Sequence, residues 1–427
     1  MMSDATPDSA LPKGVRDFLP LKAAKVEYLQ AQLRQVMEDW GFRPLIPPQL
    51  EFYDQLEKGL GGDLHARAFR FEDRQSGRLL AVPPDITPQI ARIAATRMRE
   101  LPLPLRLCYS GRVLRHAEQQ AGKDREIYQA GVELIGLGNP EADAEMIAMA
   151  IECLRRSGAS EFSLDIGQVE FFRGVMDGLS LPPALARRVT GAISRKDSTE
   201  LKALLDEGGV AEASRAEVLA LPRLFGGREV LERAAKLVTN PRSRKALDNL
   251  TEVVDLLEQH GVAEHVTLDL GELRGLDYHT GITFQGFLAG HGQAVCSGGR
   301  YDGLMASYGY PAPATGFTFD LLSLLFALEQ TLSDRVVPQT DLLVFAEPGA
   351  VPRAQQLTPQ LRAAGYSAAR DMVKRPLTEA LAYARLMNYR QLLVVPSGEG
   401  PLRLLEVGNG AERDITADEL LLQAAQK

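Results

Sequence analysis

The sequence predicts an α+β protein: an antiparallel sheet flanked by helices, a helical insertion, and a small α/β domain at the C-terminal end. Three observations carry this expectation. Short β-like runs separated by turns fill residues 69 to 136 and return at 266 to 297. Between about 170 and 262, alanine, leucine and paired charges replace the β-branched runs. After Asp341, apolar runs alternate with segments of helical spacing. A chain of 427 residues also exceeds one compact core, because domains usually hold roughly 100 to 200 residues.

Met1 to Ala10 is polar and acidic, which predicts a disordered tail rather than a secretory signal. The larger, sheet-containing core is expected from 11 to 335. Leu11 to Pro20 reads as an extended arm punctuated by Pro12, Gly14 and Pro20. Val26, Leu29, Leu33, Val36, Met37 and Trp40 then recur at spacings of three and four, one face of a helix, with Gly41 placed to end it in a left-handed cap. Phe42 to Glu51 reads as a strand that Pro44, Pro47 and Pro48 confine to an edge or an interface. Leu79 to Val82, Leu105 to Tyr109 and Val132 to Ile135 predict strands, with a helix near Pro88 to Met98. Residues 141 to 156 predict a helix with Ile147, Ile151 and Leu154 on one face.

Within the insertion, Ser194-Arg195-Lys196-Asp197 is either a helix break or a contact surface. Val266 to Leu270, Ile282 to Phe287 and Ala294 to Ser297 resume the sheet, and Phe317 to Leu328 reads as an apolar helix. Val336 to Thr340 is the expected linker to the closing domain, 341 to 427. There, Leu342 to Phe345, Gln391 to Val395 and Leu402 to Val407 are strand candidates, while Arg353 to Ala364 and Leu377 to Met387 have helical spacing.

Composition narrows the function classes. Hydrophobic residues make up 45% and charged residues 24% of the chain, the balance of packed soluble domains. No stretch approaches the roughly 20 apolar residues that span a bilayer, so no membrane partner and a cytoplasmic location are expected. The net charge of -8 argues against a large nucleic-acid surface. Cys108, Cys153 and Cys296 form no CxxC pair, which fits a reducing compartment and gives no zinc signature; no metal or cofactor is expected.

Four segments hold more polar and glycine residues than packing needs: 83 to 89, 111 to 131, 271 to 279 and 297 to 303. Each has a plain structural reading. Asp85 and Thr87 before Pro88 suit a helix cap, Arg274 and Arg300 suit surface ion pairs, and Gly298-Gly299 suits a strand bulge.

Taken in order, the segments resemble the catalytic core of histidyl-tRNA synthetase, over roughly residues 11 to 330. The closing domain bears a weaker likeness to that family's anticodon-binding domain. LPKGVRD at 11 to 17 resembles the family's N-terminal arm, and Phe42 to Glu51 resembles motif 1 of class II synthetases, with Pro48 at the dimer interface. DITPQ at 85 to 89 is similar to the loop that holds the substrate amino group. Arg112 to Gly131 is similar to motif 2, and RGLDYHTG with SGGRYDGL to the two segments that recognise histidine.

The resemblance implies a class II core, a homodimer and a pocket for free histidine. Asp85 and Thr87 would accept from the α-ammonium, with Gln129 either accepting from it or donating to the carboxylate. Arg274 would take the carboxylate, and Glu133 and Tyr278 would read the imidazole from opposite edges. Arg115, Tyr301 and His279, which replaces the family's second tyrosine, complete the pocket. A buried polar site of this type rejects analogues that leave its own groups unpaired.

The nucleotide side departs from the family pattern. Ala117 stands where a glutamate reads the adenine amino group, and Ile127 where an aromatic ring stacks on adenine. Ser323 replaces the motif 3 arginine, and Asp320 replaces a glycine beside the triphosphate, adding about 1 to 4 kcal/mol of repulsion at 4 Å and surface-like dielectrics. Arg115 and Arg125 remain able to hold a phosphate. A synthetase-like chain that binds histidine without activating it resembles the regulatory subunits of ATP phosphoribosyltransferase. The resemblance implies a short-form catalytic subunit as partner and feedback inhibition by histidine, with tRNA not expected as a ligand. Competing readings are a divergent working synthetase and a synthetase-like protein for another amino acid.

Overall fold

The computed structural model describes residues 11–116, 124–271 and 279–424. The tail 1–10, expected to be disordered, lies outside the described residues. The chain divides into two compact units, 1–335 and 336–427.

In the first unit, α1 (Pro20–Asp39) leads to the short strands β1 (Arg43–Pro44), β2 (Glu51–Phe52), β3 (Phe69–Glu72) and β4 (Leu79–Val82). Then come α2 (Thr87–Arg97), the long strands β5 (Leu105–Leu114) and β6 (Glu126–Ile135), α3 (Pro140–Ser157) and β7 (Phe162–Gln168). A run of helices from Val169 to Gln259 contains the two-residue β8 (Phe225–Gly226). It is followed by β9 (Val266–Asp269), β10 (Ile282–Leu288), β11 (Cys296–Arg300), β12 (Ala314–Asp320) and α4 (Leu321–Ala327). The main sheet has the order β1-β5-β6-β12-β11-β10-β7-β9-β8, and β2-β4-β3 form a separate small sheet. Its centre is antiparallel, while β1 joins β5 and β7 joins β9 in parallel.

α1 begins at Pro20, where a missing N–H costs nothing. It buries Val26, Leu29, Leu33, Val36 and Met37 and packs against α3. Gly41 ends it at φ +82°, a conformation open to glycine without strain. β6 is buried from Tyr128 to Ile135, and it runs six residues further toward the N-terminus than its apolar stretch, Val132 to Ile135, indicates. Glu126, Gln129 and Gly131 mask that part: a central strand that carries polar side chains and a glycine loses the apolar signature.

Two expectations need correction. Phe42 to Glu51 is not one strand: Arg43–Pro44 pairs with β5, Leu45 N–H donates to the Cys108 carbonyl at 2.8 Å, and the ladder then stops. Pro47 and Pro48 have no N–H with which to continue it. Phe317 to Leu328 is not one helix either. Residues up to Asp320 belong to β12, with Phe317 and Phe319 alternating with Gly316 and Thr318, and α4 starts only where the Asp320 carboxylate accepts from Leu322 and Ser323 N–H at 3.0 and 3.2 Å.

In the insertion, Ser194 to Asp197 is a helix break. Lys196 adopts φ +55°, and Asp197 caps the next helix by accepting from Thr199 and Glu200 N–H. Apolar side chains including Val189, Leu201, Leu205, Leu250 and Val253 form its interior.

The second unit contains β13 (Thr340–Ala346), β14 (Ala368–Arg370), β15 (Tyr389–Val395), β16 (Leu402–Glu406) and β17 (Glu412–Ile415), in the order β14-β13-β15-β16-β17. β13, β14 and β15 are parallel and the rest antiparallel. Leu342 and Val344 point into one apolar cluster and Leu343 and Phe345 into another, so β13 is covered on both faces. That double burial is why its sequence is a continuous apolar run. Among the described residues no helix is long and apolar enough to cross a membrane.

Candidate functional site

Three neighbouring strands make the floor. Directly opposite residues of an antiparallel pair share a face. Gln129, Gly131 and Glu133 of β6 therefore sit beside Gly111, Tyr109 and Leu107 of β5, and beside Asp320, Thr318 and Gly316 of β12. Two glycines clear the space. A Cβ on Gly316 would fall 2.0 Å from Glu133 Oε2, and one on Gly131 would fall 2.7 Å from the Tyr109 hydroxyl oxygen.

At one end stands Glu133, 1% exposed. Its two carboxyl oxygens accept from different phenols: Tyr109 at 3.2 Å, and Tyr301, which leaves the end of β11. Burial raises the carboxyl to about 8, although both hydroxyls favour the charged form. Burial, with Glu133 and Asp85 nearby, also raises Tyr109 well above the ordinary phenol value. Glu133 thus stands near its titration point at neutral pH and can present an acceptor or a proton to a ring nitrogen.

At the other end, the loop entering α2 carries Asp85, with Thr87 as the first helical residue. Asp85 Oδ1 accepts from Thr87 N–H at 3.1 Å, and its Oδ2 accepts from the Arg115 guanidinium at 3.0 Å. Arg115 also donates to the Pro84 carbonyl at 2.7 Å. Gln129 Oε1 accepts from Ile86 N–H at 3.1 Å, which engages the acceptor end of that amide. The Thr87 hydroxyl lies 3.4 Å from the Tyr109 hydroxyl. Arg115, Asp85, Thr87, Tyr109, Glu133 and Tyr301 therefore form one connected polar chain across the floor, and Gln129 ties the loop to it.

His279 stands beside the end of β11, with Nδ1 3.2 Å from the Arg300 carbonyl. A carbonyl only accepts, so Nδ1 carries the hydrogen. Burial lowers the ring to about 4, which keeps it neutral at pH 7 with Nε2 as an acceptor. Arg300 is no surface ion-pair partner: only 6% exposed, its guanidinium donates to Asp143 Oδ2 at 3.0 Å, to the Leu137 carbonyl at 2.9 Å and to Asp302 at 3.2 Å. A buried guanidinium needs such partners to offset its desolvation, and they fix the end of β11 from which Tyr301 departs.

Of the predicted nucleotide-side positions, Ile127 is half-buried and packs against the apolar cluster containing Val113. Ser323 lies in the first turn of α4, and the Asp320 carboxylate is committed to capping that turn. Asp320 therefore has a structural task beyond placing charge beside a phosphate. Phe18 of the arm meets the Tyr128 ring edge-on at 5.6 Å, with the Arg112 guanidinium 4.3 Å from the centre of the same ring. Gly14 accepts from Arg125 N–H at 2.8 Å. Ala117, Arg274 and Tyr278 lie outside the described residues.

The family model for histidyl-tRNA synthetase matches residues 14–324. The chain is 58% identical to the ATP phosphoribosyltransferase regulatory subunit of Syntrophotalea carbinolica, over 97% of each chain. It is 53% identical to that of Geobacter sulfurreducens, over 98% of this chain and 97% of the relative. This chain belongs to the ATP phosphoribosyltransferase regulatory subunit family. Among solved structures, an ATP phosphoribosyltransferase regulatory subunit/histidyl-tRNA synthetase from Bacillus halodurans superposes with a TM-score of 0.81 at 29% identity, covering 92% of this chain and 99% of its own. Histidyl-tRNA synthetase from Nostoc sp. PCC 7120 shares the fold, with a TM-score of 0.82 at 21% identity over 99% of this chain and 100% of its own.

Within this family fold, the residues that sequence reasoning placed at the ammonium end, Asp85, Thr87 and Gln129, are brought together with Arg115. Of the pair it placed at the ring end, Glu133 is described and Tyr278 is not; Tyr301, expected only to complete the pocket, is joined directly to Glu133. It missed Tyr109, the residue that connects the two ends. The available signal was Gly131, two residues before Glu133. A glycine in the middle of a buried strand marks a close approach by a neighbour, and here the neighbour is the Tyr109 phenol.

Proposed function

We propose that the chain is the non-catalytic, histidine-sensing subunit of ATP phosphoribosyltransferase. In this reading it works in the cytoplasm with a short-form catalytic chain, supports the first step of histidine biosynthesis, and confers feedback inhibition by histidine. Its working parts are a synthetase-like core, residues 11 to 335 with the insertion at about 170 to 262, and a closing α/β domain at 341 to 427, for which tRNA is not a ligand.

One asymmetry carries the reading. The acceptors for an ammonium and an imidazole are linked by hydrogen bonds from Asp85 to Tyr301. At the position for a phosphate cation, by contrast, the chain has Ser323 behind the capping carboxylate of Asp320. Forming an adenylate requires charge stabilisation at the α-phosphate, and removing one such group typically costs about 10²- to 10³-fold in rate. A site that keeps its amino-acid contacts and lacks the phosphate contact binds histidine and leaves it unreacted. The test pairs calorimetry with pyrophosphate exchange on the purified chain. Histidine binding without histidine-dependent exchange is the expected result, and exchange above the blank overturns the non-catalytic reading.

A further inference from the structure

Thr318 occupies the middle of the floor. On β12 it lies between Asp320, opposite Gln129, and Gly316, opposite Glu133, and it pairs with Gly131. Its hydroxyl oxygen is buried and has no hydrogen-bond partner among the described residues. Asp320 is held by the N–H groups of α4. The Tyr109 phenol, whose hydrogen goes to Glu133, lies near enough for the Thr318 hydroxyl to favour its ionised form, yet no well-formed hydrogen bond joins the two. A buried hydroxyl without a partner carries a desolvation cost of about 1 to 3 kcal/mol, and a ligand that supplies the partner recovers it.

The geometry also indicates which ligand group that is. On the proposed reading of the pocket, the imidazole goes to Glu133 and the ammonium to Asp85 and Thr87, beside β5. Two directions then remain at the tetrahedral α-carbon for the carboxylate and the hydrogen, and the one over β12 brings the carboxylate to Thr318. Gln129, with its oxygen engaged by Ile86 N–H, offers an NH₂ donor at the same place. We propose that Thr318 is a specificity-determining residue whose hydroxyl donates to the α-carboxylate, so that the site distinguishes the free amino acid from analogues altered at that carboxylate.

This inference rests on the histidine-binding reading, and the experiment separates the two. Calorimetry on the full chain measures the Kd for histidine and for histidinol, in which CH₂OH replaces the carboxylate, with wild type, Thr318→Val and Thr318→Ser. Valine is nearly isosteric and removes the unpaired hydroxyl, so the ligand-free variant should melt at or above the wild-type temperature, which serves as the folding control. Loss of a hydrogen bond to a charged group should weaken histidine binding about tenfold or more, while histidinol changes by less than about threefold. Serine keeps the hydroxyl and should restore the preference for histidine. Equal loss for both ligands would mean a structural role only, and unchanged histidine affinity in Thr318→Val would mean no contact; either overturns the inference while leaving histidine binding intact. A wild-type chain that binds no histidine overturns the underlying reading instead.

Discussion

Glu133 joins recognition to stability in one side chain. Its carboxyl titrates at about 8 in the folded chain, against about 4.3 when unfolded. Between those values the native state holds a proton that the unfolded chain has released. The stabilising contribution is therefore complete below about pH 4.3 and is lost as the pH rises through about 8. Replacing Glu133 with Gln should flatten the fall in melting temperature of the ligand-free protein across roughly pH 5 to 8, because the amide does not titrate. A slope equal to that of wild type would show that Glu133 ionises normally in the folded state. Asp85, Thr87 and Gln129 were legible in the sequence because they fall in segments with more polar residues than packing needs, and Glu133 only through the resemblance to histidyl-tRNA synthetase. Arg300 was not, since nothing in a linear string reveals that its guanidinium is enclosed by Asp143 and two carbonyls 161 and 163 residues away.

At the scale of elements, the joint between β12 and α4 decides how the phosphate end is built. Asp320 ends the strand and caps the helix. Asp320→Ala should cost about 0.5 to 2 kcal/mol, and Asp320→Asn, an equally good cap, much less; chemical denaturation read on the first unit distinguishes them. Equal losses would remove capping as the role of Asp320. Installing arginine at Ser323 alone should leave pyrophosphate exchange at the blank, because Asp320 and Ile127 remain. The joint was obscured in the sequence because Phe317, Phe319, Leu321 and Leu322 form a run without polar interruption except Thr318 and Asp320. Such a run suits a buried strand or a helix equally, and only the partner strands decide. The helices from Val169 to Gln259 were easier, since their spacing and caps are local properties, as the break at Lys196 and Asp197 shows.

For the whole molecule, β1 forms one edge of the main sheet, and the proline segment after it leaves Ile46 89% and Leu50 48% exposed. We propose that a second copy covers this edge, as motif 1 does in the family resemblance. Light scattering should give about twice 46.7 kDa, and a monomer at micromolar concentration would contradict the dimer. Assembly is the least legible aspect of the chain, because it depends on surfaces whose partners the sequence does not contain. Histidine can act through this chain only if it binds the inhibited assembly more tightly than the active one, and a coupling of about 1 to 3 kcal/mol gives roughly a 5- to 150-fold effect. Arg274, assigned to the ligand carboxylate by resemblance, provides the most direct test. The measurement is the histidine concentration giving half-inhibition of the catalytic subunit, assembled with wild-type chain or with Arg274→Ala. Loss of a charge-assisted contact worth about 1.5 to 3 kcal/mol should raise that concentration roughly 10-fold or more. An Arg274→Ala assembly as sensitive to histidine as wild type would contradict the account and move the regulatory site away from this pocket.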